Sequence, residues 1–470
     1  MSAGGPSDAS EPIAHRSAAV ISIGDELALG QTLDTNTAWL ADRLFAAGVR
    51  TNEHATIDDE ARRIAAAIER LGADHDLIVC TGGLGPTADD LTREALARVL
   101  AGGPDAEPGP MTEDRGALEA LRAWFETRPA GMPERNRVQA MRPDGARCLP
   151  NPNGTAPGLH ARCARLGADI FCLPGPPHEM RPMVEAELIP TLRPADGAVT
   201  RVRLLPTIGL GESTVAERLD DVMARTREDS GEVMVGTTAS RGVVTCRLRA
   251  SAPSEADAAA MLDDAESLIR ERLGAVVFDR RDQASGDPMD LADALPRAVI
   301  ALLRERGERF AVAESCTGGL LGDSITSVAG ASDVFEGGWL TYTNALKAEM
   351  LGVDPAIIEA HGAVSGECAR AMARGGLGRS PRAHHCLSIT GVAGPGGGSG
   401  DKPVGTVWIG RASRERPDGE IDAETRRFLF RGGRVAVRQW AARAALAMLR
   451  LRVLGARMGL LAQVGGDDLE

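Results

Sequence analysis

The chain has 470 residues, 43% of them hydrophobic and 25% charged, with a formal net charge of −13. That length exceeds one core and points to about three domains, and the acidic balance argues against broad nucleic-acid or anionic-membrane binding. Aromatic residues make up only 3%, so the cores must be built from Ala, Leu, Val and Ile.

Residues 1–16 lack the basic region and apolar core of a signal peptide and read as a disordered tail. Ala18–Ile23 is an apolar run of buried-strand length that ends at Gly24-Asp25-Glu26. A helix with Thr37, Leu40, Leu44 and Ala47 at helical spacing closes at Gly48, and a second carries Ile64, Ile68 and Leu71. Asp76–Cys80 is another buried strand, which delivers the glycine loop Thr81–Asp90 into a helix from Leu91 to Leu100. This order predicts a parallel α/β sheet covered on both faces, with ligands at the carboxyl ends of its strands. Gly82, Gly83 and Gly85 would let backbone N–H groups approach an anion. Asp25, Glu26, Asp89 and Asp90 offer hard oxygen ligands for Mg²⁺ or a similar ion; the bland alternative is that Asp89 and Asp90 cap a helix.

The next stretch changes character. Val202–Pro206 alternates like a strand, and Gly209–Ser213 opens a helix through Val215 and Leu219. Val233–Gly236 and Val243–Arg249 read as a strand pair, Ser254–Leu273 as a helix and Ala275–Phe278 as a closing strand. This is a small α+β module suited to connecting larger domains or assisting dimerisation. Ser285–Pro288 reads as a linker. The last domain opens with a helix from Met289 to Arg306 and a strand, Arg309–Ala313, that delivers Glu314-Ser315-Cys316-Thr317-Gly318-Gly319 into a second helix.

Only two of the 53 basic residues are lysines, Lys347 and Lys402, and Tyr342 is the sole tyrosine. Where Arg serves as the generic cation, a retained Lys is a candidate for what Arg cannot do, which is to lose its proton and act as a base. The eight cysteines form no C-x-x-C pair and read as reduced thiols of a cytoplasmic protein. No run approaches the roughly 18 apolar residues of a membrane span.

Several strings resemble one family. Gly24-Asp25-Glu26, Asp34-Thr35-Asn36, Thr81–Thr92, Asn153–Gly158 and Leu173–Met180 are similar to the amino-terminal half of the competence/damage-inducible protein A (CinA) family. The resemblance implies a molybdopterin-binding-like domain over residues 17–189, associated with metal-dependent ADP-ribose pyrophosphatase activity. It places Gly24, Asn36, Gly82, Gly83, Gly85, Thr87 and Pro176 at a nucleotide and Asp25, Glu26, Asp89 and Asp90 at a divalent metal. Gly209–Ser213 matches the family's middle region, here residues 190–285. Glu314–Gly319, His361–Ser365, Leu387–Gly398 and Lys402–Trp408 resemble its carboxy-terminal domain, here residues 286–463 before an acidic tail at 464–470. That domain implies a nicotinamide-mononucleotide (NMN) amidohydrolase of pyridine nucleotide recycling that needs no cofactor, in a cytoplasmic protein forming a homo-oligomer, a dimer first of all.

Amide hydrolysis needs a nucleophile, a base, an acid for ammonia and donors for the oxyanion. No Ser-His-Asp arrangement is evident, so a Ser-Lys arrangement is the natural alternative, with Lys347 as base at a pKa depressed by burial. Either Ser315 or Ser332 fits as nucleophile, with Cys316 behind them, and Tyr342 would relay a proton or hold the carboxamide. Glu314, Thr317, Gly318, Thr390, Gly391, Gly394 and Gly396 would contact substrate, and Arg434 or Arg438 would pair with its phosphate. Lys402 fits a loop contact or a phosphate better than a base. The rival reading is a regulatory protein, linked to competence or DNA damage, that binds a nucleotide or pterin without turnover.

Overall fold

The computed structural model describes residues 13–126, 131–194, 199–223, 233–240, 242–282, 291, 293–416, 419–456 and 459–464. The expected linker Ser285–Pro288 lies outside the described residues. The chain forms two compact units, one holding a six-stranded sheet and the other nearly all of a four-stranded and a five-stranded sheet.

The first unit contains β1 (Ser17–Ile23), β2 (Arg50–Ile57), β3 (Leu77–Thr81), β4 (Ala146–Leu149), β5 (Gly158–Cys163) and β6 (Ala168–Leu173), in the order β2-β1-β3-β6-β5-β4. The first four in that order run parallel, as expected, while β5 and β4 add an antiparallel edge. Side chains alternate across the sheet. Ala19, Ile21 and Ile23 of β1 pack with Ile64, Ile68 and Leu71 of α3 (Ala61–Gly72) and Leu96 of α4 (Thr92–Ala101). Ala18 and Val20 face Trp39, Leu40 and Leu44 of α2 (Asn36–Ala46) and Met180 and Met183 of α6 (Pro177–Met183). Between them in the chain lie the one-turn α1 (Asp25–Ala28) and α5 (Arg115–Glu126). Cys80, Cys172, Leu159 and Cys148 stand side by side on β3, β6, β5 and β4. The domain also begins earlier than expected. His15 is buried, with Nε2 3.2 Å from Asp169 and its N–H donating to the Arg193 carbonyl, so it is not part of a tail.

In the second unit β7 (Val199–Ile208), β8 (Val233–Ser240), β9 (Val243–Ala252) and β10 (Arg281–Asp282) form a sheet ordered β8-β9-β7-β10, with α7 (Glu212–Arg218) and α8 (Glu255–Leu273). The strand expected at Ala275–Phe278 is instead a single turn, Gly274–Val276, and one bridge between Val277 and Thr207. The five-stranded sheet contains β11 (Phe310–Glu314), β12 (Phe335–Leu340), β13 (His385–Gly391), β14 (Thr406–Ser413) and β15 (Asp422–Leu429), ordered β12-β11-β13-β14-β15. Its first three are parallel and the rest antiparallel. Around it lie α9 (Ala294–Arg306), α10 (Leu320–Thr326), α11 (Asn344–Leu351), α12 (Pro355–His361), α13 (Gly366–Arg379) and α14 (Arg434–Val453).

The middle module and the last domain do not separate as two cores. Ile208, Val243 and Phe278 belong to the same apolar cluster as Val299 of α9 and Leu446 of α14. Arg450 of α14 reaches the carbonyls of Ala275 and Val277. No described helix is long and apolar enough to cross a membrane.

Candidate active site

Strand β11 ends at Glu314 and hands the chain to a turn that opens α10. The buried Glu314 carboxylate accepts the N–H groups of Gly319, Leu321 and Gly322 at 2.8–3.1 Å. It thereby satisfies donors that a helix start leaves without intrahelical partners. Glu314 braces the turn, which corrects its expected role in contacting substrate.

Ser315 follows, its own N–H donating to the Ile389 carbonyl at 3.0 Å. Because β12 runs parallel to β11 with Leu340 opposite Glu314, the chain leaves β12 beside this turn. The Thr341 N–H donates to the Glu314 carbonyl at 2.8 Å, and the Thr343 hydroxyl accepts the Leu346 N–H at 3.2 Å, starting α11. One turn into that helix, Lys347 places Nζ 3.0 Å from Ser315 Oγ and 2.8 Å from the Thr341 carbonyl oxygen. Lys347 is 1% and Ser315 8% exposed. Burial lowers the Lys347 pKa below its ordinary 10.5, opposed by the thiols of Cys368 and Cys316. A neutral amine here donates one N–H to the Thr341 carbonyl and turns its lone pair toward the Ser315 hydroxyl. Burial pushes the adjacent Cys316 thiol up to about 12, so Cys316 is protonated at neutral pH and is no thiolate nucleophile.

The rim of the site comes from α14. Arg434 donates Nη2 to the Tyr342 hydroxyl at 3.0 Å and Nη1 to the Gly394 carbonyl at 2.9 Å. Arg438 donates twice to the Thr317 carbonyl, at 2.6 and 3.1 Å. Tyr342 is 57% exposed, so the structure sets it at the mouth, not against Lys347. Gly318, with φ +61, brings its backbone close to Arg438, and the Thr317 hydroxyl is buried without a partner. Gly391 ends β13, and the exposed Gly396 lies in the loop after it. The Thr390 hydroxyl donates to the Ala363 carbonyl at 2.8 Å, which leaves it only as an acceptor toward a substrate. Lys402 reaches the His361 carbonyl at 2.8 Å and is a loop contact.

Ser332 is a correction. It lies in the turn Ala331–Asp333 before β12, where Phe335 is level with Phe310 at the start of β11. Five residue steps, or roughly 16 Å, separate that level from Ser315, and the Ser332 carbonyl is held by Arg309. The structure brings Ser315, not Ser332, to Lys347.

At the carboxyl edge of the first sheet the expected ligand set is less assembled. Asp90 accepts the N–H of Gly85 at 2.7 Å and the N–H of Thr87 at 2.8 Å, with the Thr87 hydroxyl as a third donor. The loop therefore turns those two N–H groups onto its own carboxylate, and Asp90 is corrected from a metal ligand to a brace. The Thr87 hydroxyl lowers the pKa of the exposed Asp89. Asp25 and Asp59 exchange backbone-to-carboxylate bonds at 2.9 and 3.2 Å. Among the described residues, no three His, Cys, Asp or Glu side chains converge to hold a metal. The residues present do not form a ready metal site.

Gly82 is dictated by the fold: at φ +112, a Cβ would lie 2.2 Å from the Ile23 carbonyl oxygen. Gly83 is also left-handed at φ +62, and the Gly24 N–H donates to the Ile57 carbonyl at 3.0 Å. Pro176 caps α6 with its carbonyl. Asn36 donates to the Gly175 carbonyl at 2.6 Å and to the Thr81 hydroxyl at 3.3 Å, while its Oδ1 is buried without a partner.

Sequence reasoning missed three contributors. The Thr341 carbonyl orients Lys347, and no side-chain motif signals a backbone acceptor. Asp59 is raised above its ordinary pKa by burial and then by Asp25, Glu26 and Asp89, against the Asp25 N–H; its place directly after β2 was the available signal. Buried Arg93 donates to the carbonyls of Leu84 and Gly85, holding the glycine loop from beneath.

Comparison with known proteins follows the same partition. Residues 19–194 match the probable molybdopterin binding domain family, 202–278 the damage-inducible protein CinA KH domain and 292–453 the CinA C-terminal domain. A CinA-like protein of Geobacter sulfurreducens is 39% identical over 443 residues, covering 93% of this chain and 99% of its own. A CinA-like protein of Synechococcus is 38% identical over 441 residues, covering 93% of this chain and 98% of its own. A solved competence/damage inducible protein of Agrobacterium tumefaciens is 39% identical, with a TM-score of 0.32, and covers 36% of this chain and 99% of its own. The chain belongs to the CinA family.

Proposed function

We propose that the carboxy-terminal domain hydrolyses the carboxamide of nicotinamide mononucleotide to the acid and ammonia. The observation that carries this reading is the buried contact of Lys347 Nζ with Ser315 Oγ at 3.0 Å, oriented by the Thr341 carbonyl. A merely structural Lys is expected to reach solvent or a carboxylate. This one is buried between a hydroxyl and a carbonyl, as an amine that must be neutral requires.

The steps follow from the residues. Neutral Lys347 takes the Ser315 proton as Oγ attacks the carboxamide carbon. The Ser315 N–H is engaged by Ile389, so the oxyanion donor comes from the next residues of the turn, Cys316 and Thr317. Protonated Lys347 gives its proton to the leaving nitrogen, ammonia departs and an ester to Ser315 remains. Water, deprotonated by Lys347, then attacks the ester, releasing the acid and restoring the serine. Arg434 and Arg438 at the rim suit the phosphate of the substrate. Ammonia release from NMN by the purified chain, absent from Ser315→Ala, tests the reading; a wild-type chain that binds NMN without turnover would overturn it.

For the amino-terminal domain we propose nucleotide binding at the carboxyl edge of the first sheet. The orphan acceptor Asn36 Oδ1 supports it, since a buried acceptor costs free energy until it meets a donor. Metal-dependent pyrophosphatase activity has weaker support, because its carboxylates do not converge.

A further inference from the structure

Where the middle module meets the last domain, an open-sided cavity of about 380 Å³ lies between α9, α14 and the segment that follows α8. The volume falls in the range of small-molecule sites. Arg297, Ala301 and Glu305 line it from α9 at i, i+4 and i+8. They therefore share one face of the helix, with Glu305 roughly 12 Å beyond Arg297. Ala301 is small and exposed, and across from it Leu454, just past the end of α14, is 38% exposed. A single exposed apolar side chain is ordinary; this one lines a cavity that also holds a guanidinium.

That guanidinium is Arg450. It is half-buried and donates to the carbonyls of Ala275 and Val277. Among the described residues no carboxylate pairs with it, and the charge that bears on it is that of Arg270, of like sign. Arg270 in turn has its own partner, Glu266, at 2.7 Å. Burial lowers the Arg450 pKa to about 10, which leaves it charged at neutral pH. Two carbonyls satisfy its N–H groups but do not neutralise it, and a charge drawn out of water is costly until a counter-charge meets it. Arg297 stands at the same end of the cavity. Asp279, two residues past the Val277 carbonyl that Arg450 holds, is 3.9 Å from Arg297. Asp279 lies closer to Arg281, at 3.2 Å, and Arg297 closer to Asp293, at 3.3 Å. The cavity is thus cationic at one end and carries Glu305 at the other.

We propose that this cavity binds a small organic anion, a carboxylate or phosphate on a short apolar body. Its charge lies between Arg450 and Arg297, and its apolar part covers Ala301 and Leu454. Glu305 sets the direction, because it repels the anionic group from the far end. Sixteen residues, or roughly 24 Å of helix, separate Arg450 from Arg434, so this site is distinct from the one at Ser315 and does not depend on the reaction proposed there. The test titrates the full chain calorimetrically, at constant ionic strength, with pentanoate, with n-butyl phosphate and with n-butylammonium as control. At least one of the two anions should bind wild type, and which one identifies the head group. Its affinity should fall tenfold or more in Arg450→Gln, which removes the charge but keeps an amide donor, and in Ala301→Phe, which fills the cavity. It should be unchanged in Arg438→Gln, which alters a cation of the other site. Should Arg450→Gln not fold, Ala301→Phe decides alone, since it sits at an exposed position and breaks no side-chain hydrogen bond. The proposal is overturned if neither anion binds wild type, or if either folded cavity variant keeps its affinity within tenfold. It also falls if Arg438→Gln loses the binding, which would place the anion beside Ser315, or if butylammonium binds as tightly as the anions, which would give the cavity to Glu305.

Discussion

The two candidate sites sit at the same place on two α/β sheets, beyond the carboxyl ends of parallel strands, yet they differ in how finished they are. Around Ser315 the polar groups are buried and mutually oriented: Glu314 fixes the turn, Thr341 fixes the lysine, and the lysine meets the serine. At the first sheet the carboxylates Asp25 and Asp59 bind each other's backbone, and Asp90 binds its own loop. Acid–base chemistry depends on a few angles held without a ligand, so its site can be complete beforehand. The carboxylates at the first sheet are held apart instead: burial, and after it the charges of Asp25, Glu26 and Asp89, raise the pKa of Asp59.

The largest expected effect tests the finished site. Ser315→Ala and Lys347→Arg should each lower the rate of ammonia release by at least about 10³-fold, with folding retained by circular dichroism. Arg keeps the charge but not the removable proton. In wild type the rate should rise with pH as Lys347 loses its proton, levelling off below the ordinary 10.5. Stability has the same sign: the unfolded chain keeps that proton to higher pH than the native one, so stability rises across the window between the two pKa values. A Lys347→Arg protein that retains a tenth of the activity would remove Lys347 as the base.

The chelator experiment breaks the comparison from the other side. EDTA should abolish any ADP-ribose hydrolysis and leave NMN deamidation within twofold. Chelator-sensitive ammonia release would overturn the Ser-Lys mechanism. Chelator-resistant ADP-ribose cleavage would show that the first sheet's carboxylates work without a cation.

Much of this was legible in the sequence, for physical reasons. Buried parallel strands announce themselves as nearly unbroken apolar runs, as in Ala18–Ile23, interrupted only by Ser22, and Leu77–Cys80. The half-exposed β2, Arg-Thr-Asn-Glu-His-Ala-Thr-Ile, has too few apolar residues to signal itself. The rarity of lysine singled out Lys347, but spacing along the chain could not choose between Ser315 and Ser332. That choice depends on which end of β12 adjoins which end of β11, and only tertiary register supplies it.

A smaller effect concerns the boundary of the finished unit. Burial lowers Arg450 to a pKa of about 10, and its guanidinium donates to the Ala275 and Val277 carbonyls. A fragment beginning at residue 289 removes both acceptors and strips Ile208, Val243 and Phe278 from the shared core. The apolar faces of α9 and α14 that those residues cover would then meet water. Residues 199–470 should therefore melt higher than residues 289–470, while both release ammonia at low temperature because every proposed catalytic residue lies after residue 313. Equal melting would show that the middle module adds nothing to the last domain's stability.

The smallest effects concern the two residues that sequence alone kept as rivals. Ser332→Ala should leave NMN turnover within twofold, because the residue is exposed at the far end of β12 and contributes its carbonyl, which alanine retains, to Arg309. Cys316→Ala should also stay active, since a thiol pushed up to about 12 contributes no nucleophile near neutral pH. It carries more risk than Ser332→Ala, because Cys316 is nearly buried and its neighbours include the lysine. Its outcome is therefore read against temperature: a rate loss that follows a lowered melting point reflects packing, whereas a rate loss at full stability would return Cys316 to the chemistry. Iodoacetamide adds an independent readout, because a protonated, enclosed thiol should alkylate slowly. Fast alkylation with matching loss of activity would place a thiolate in the site and undo the assignment of Ser315.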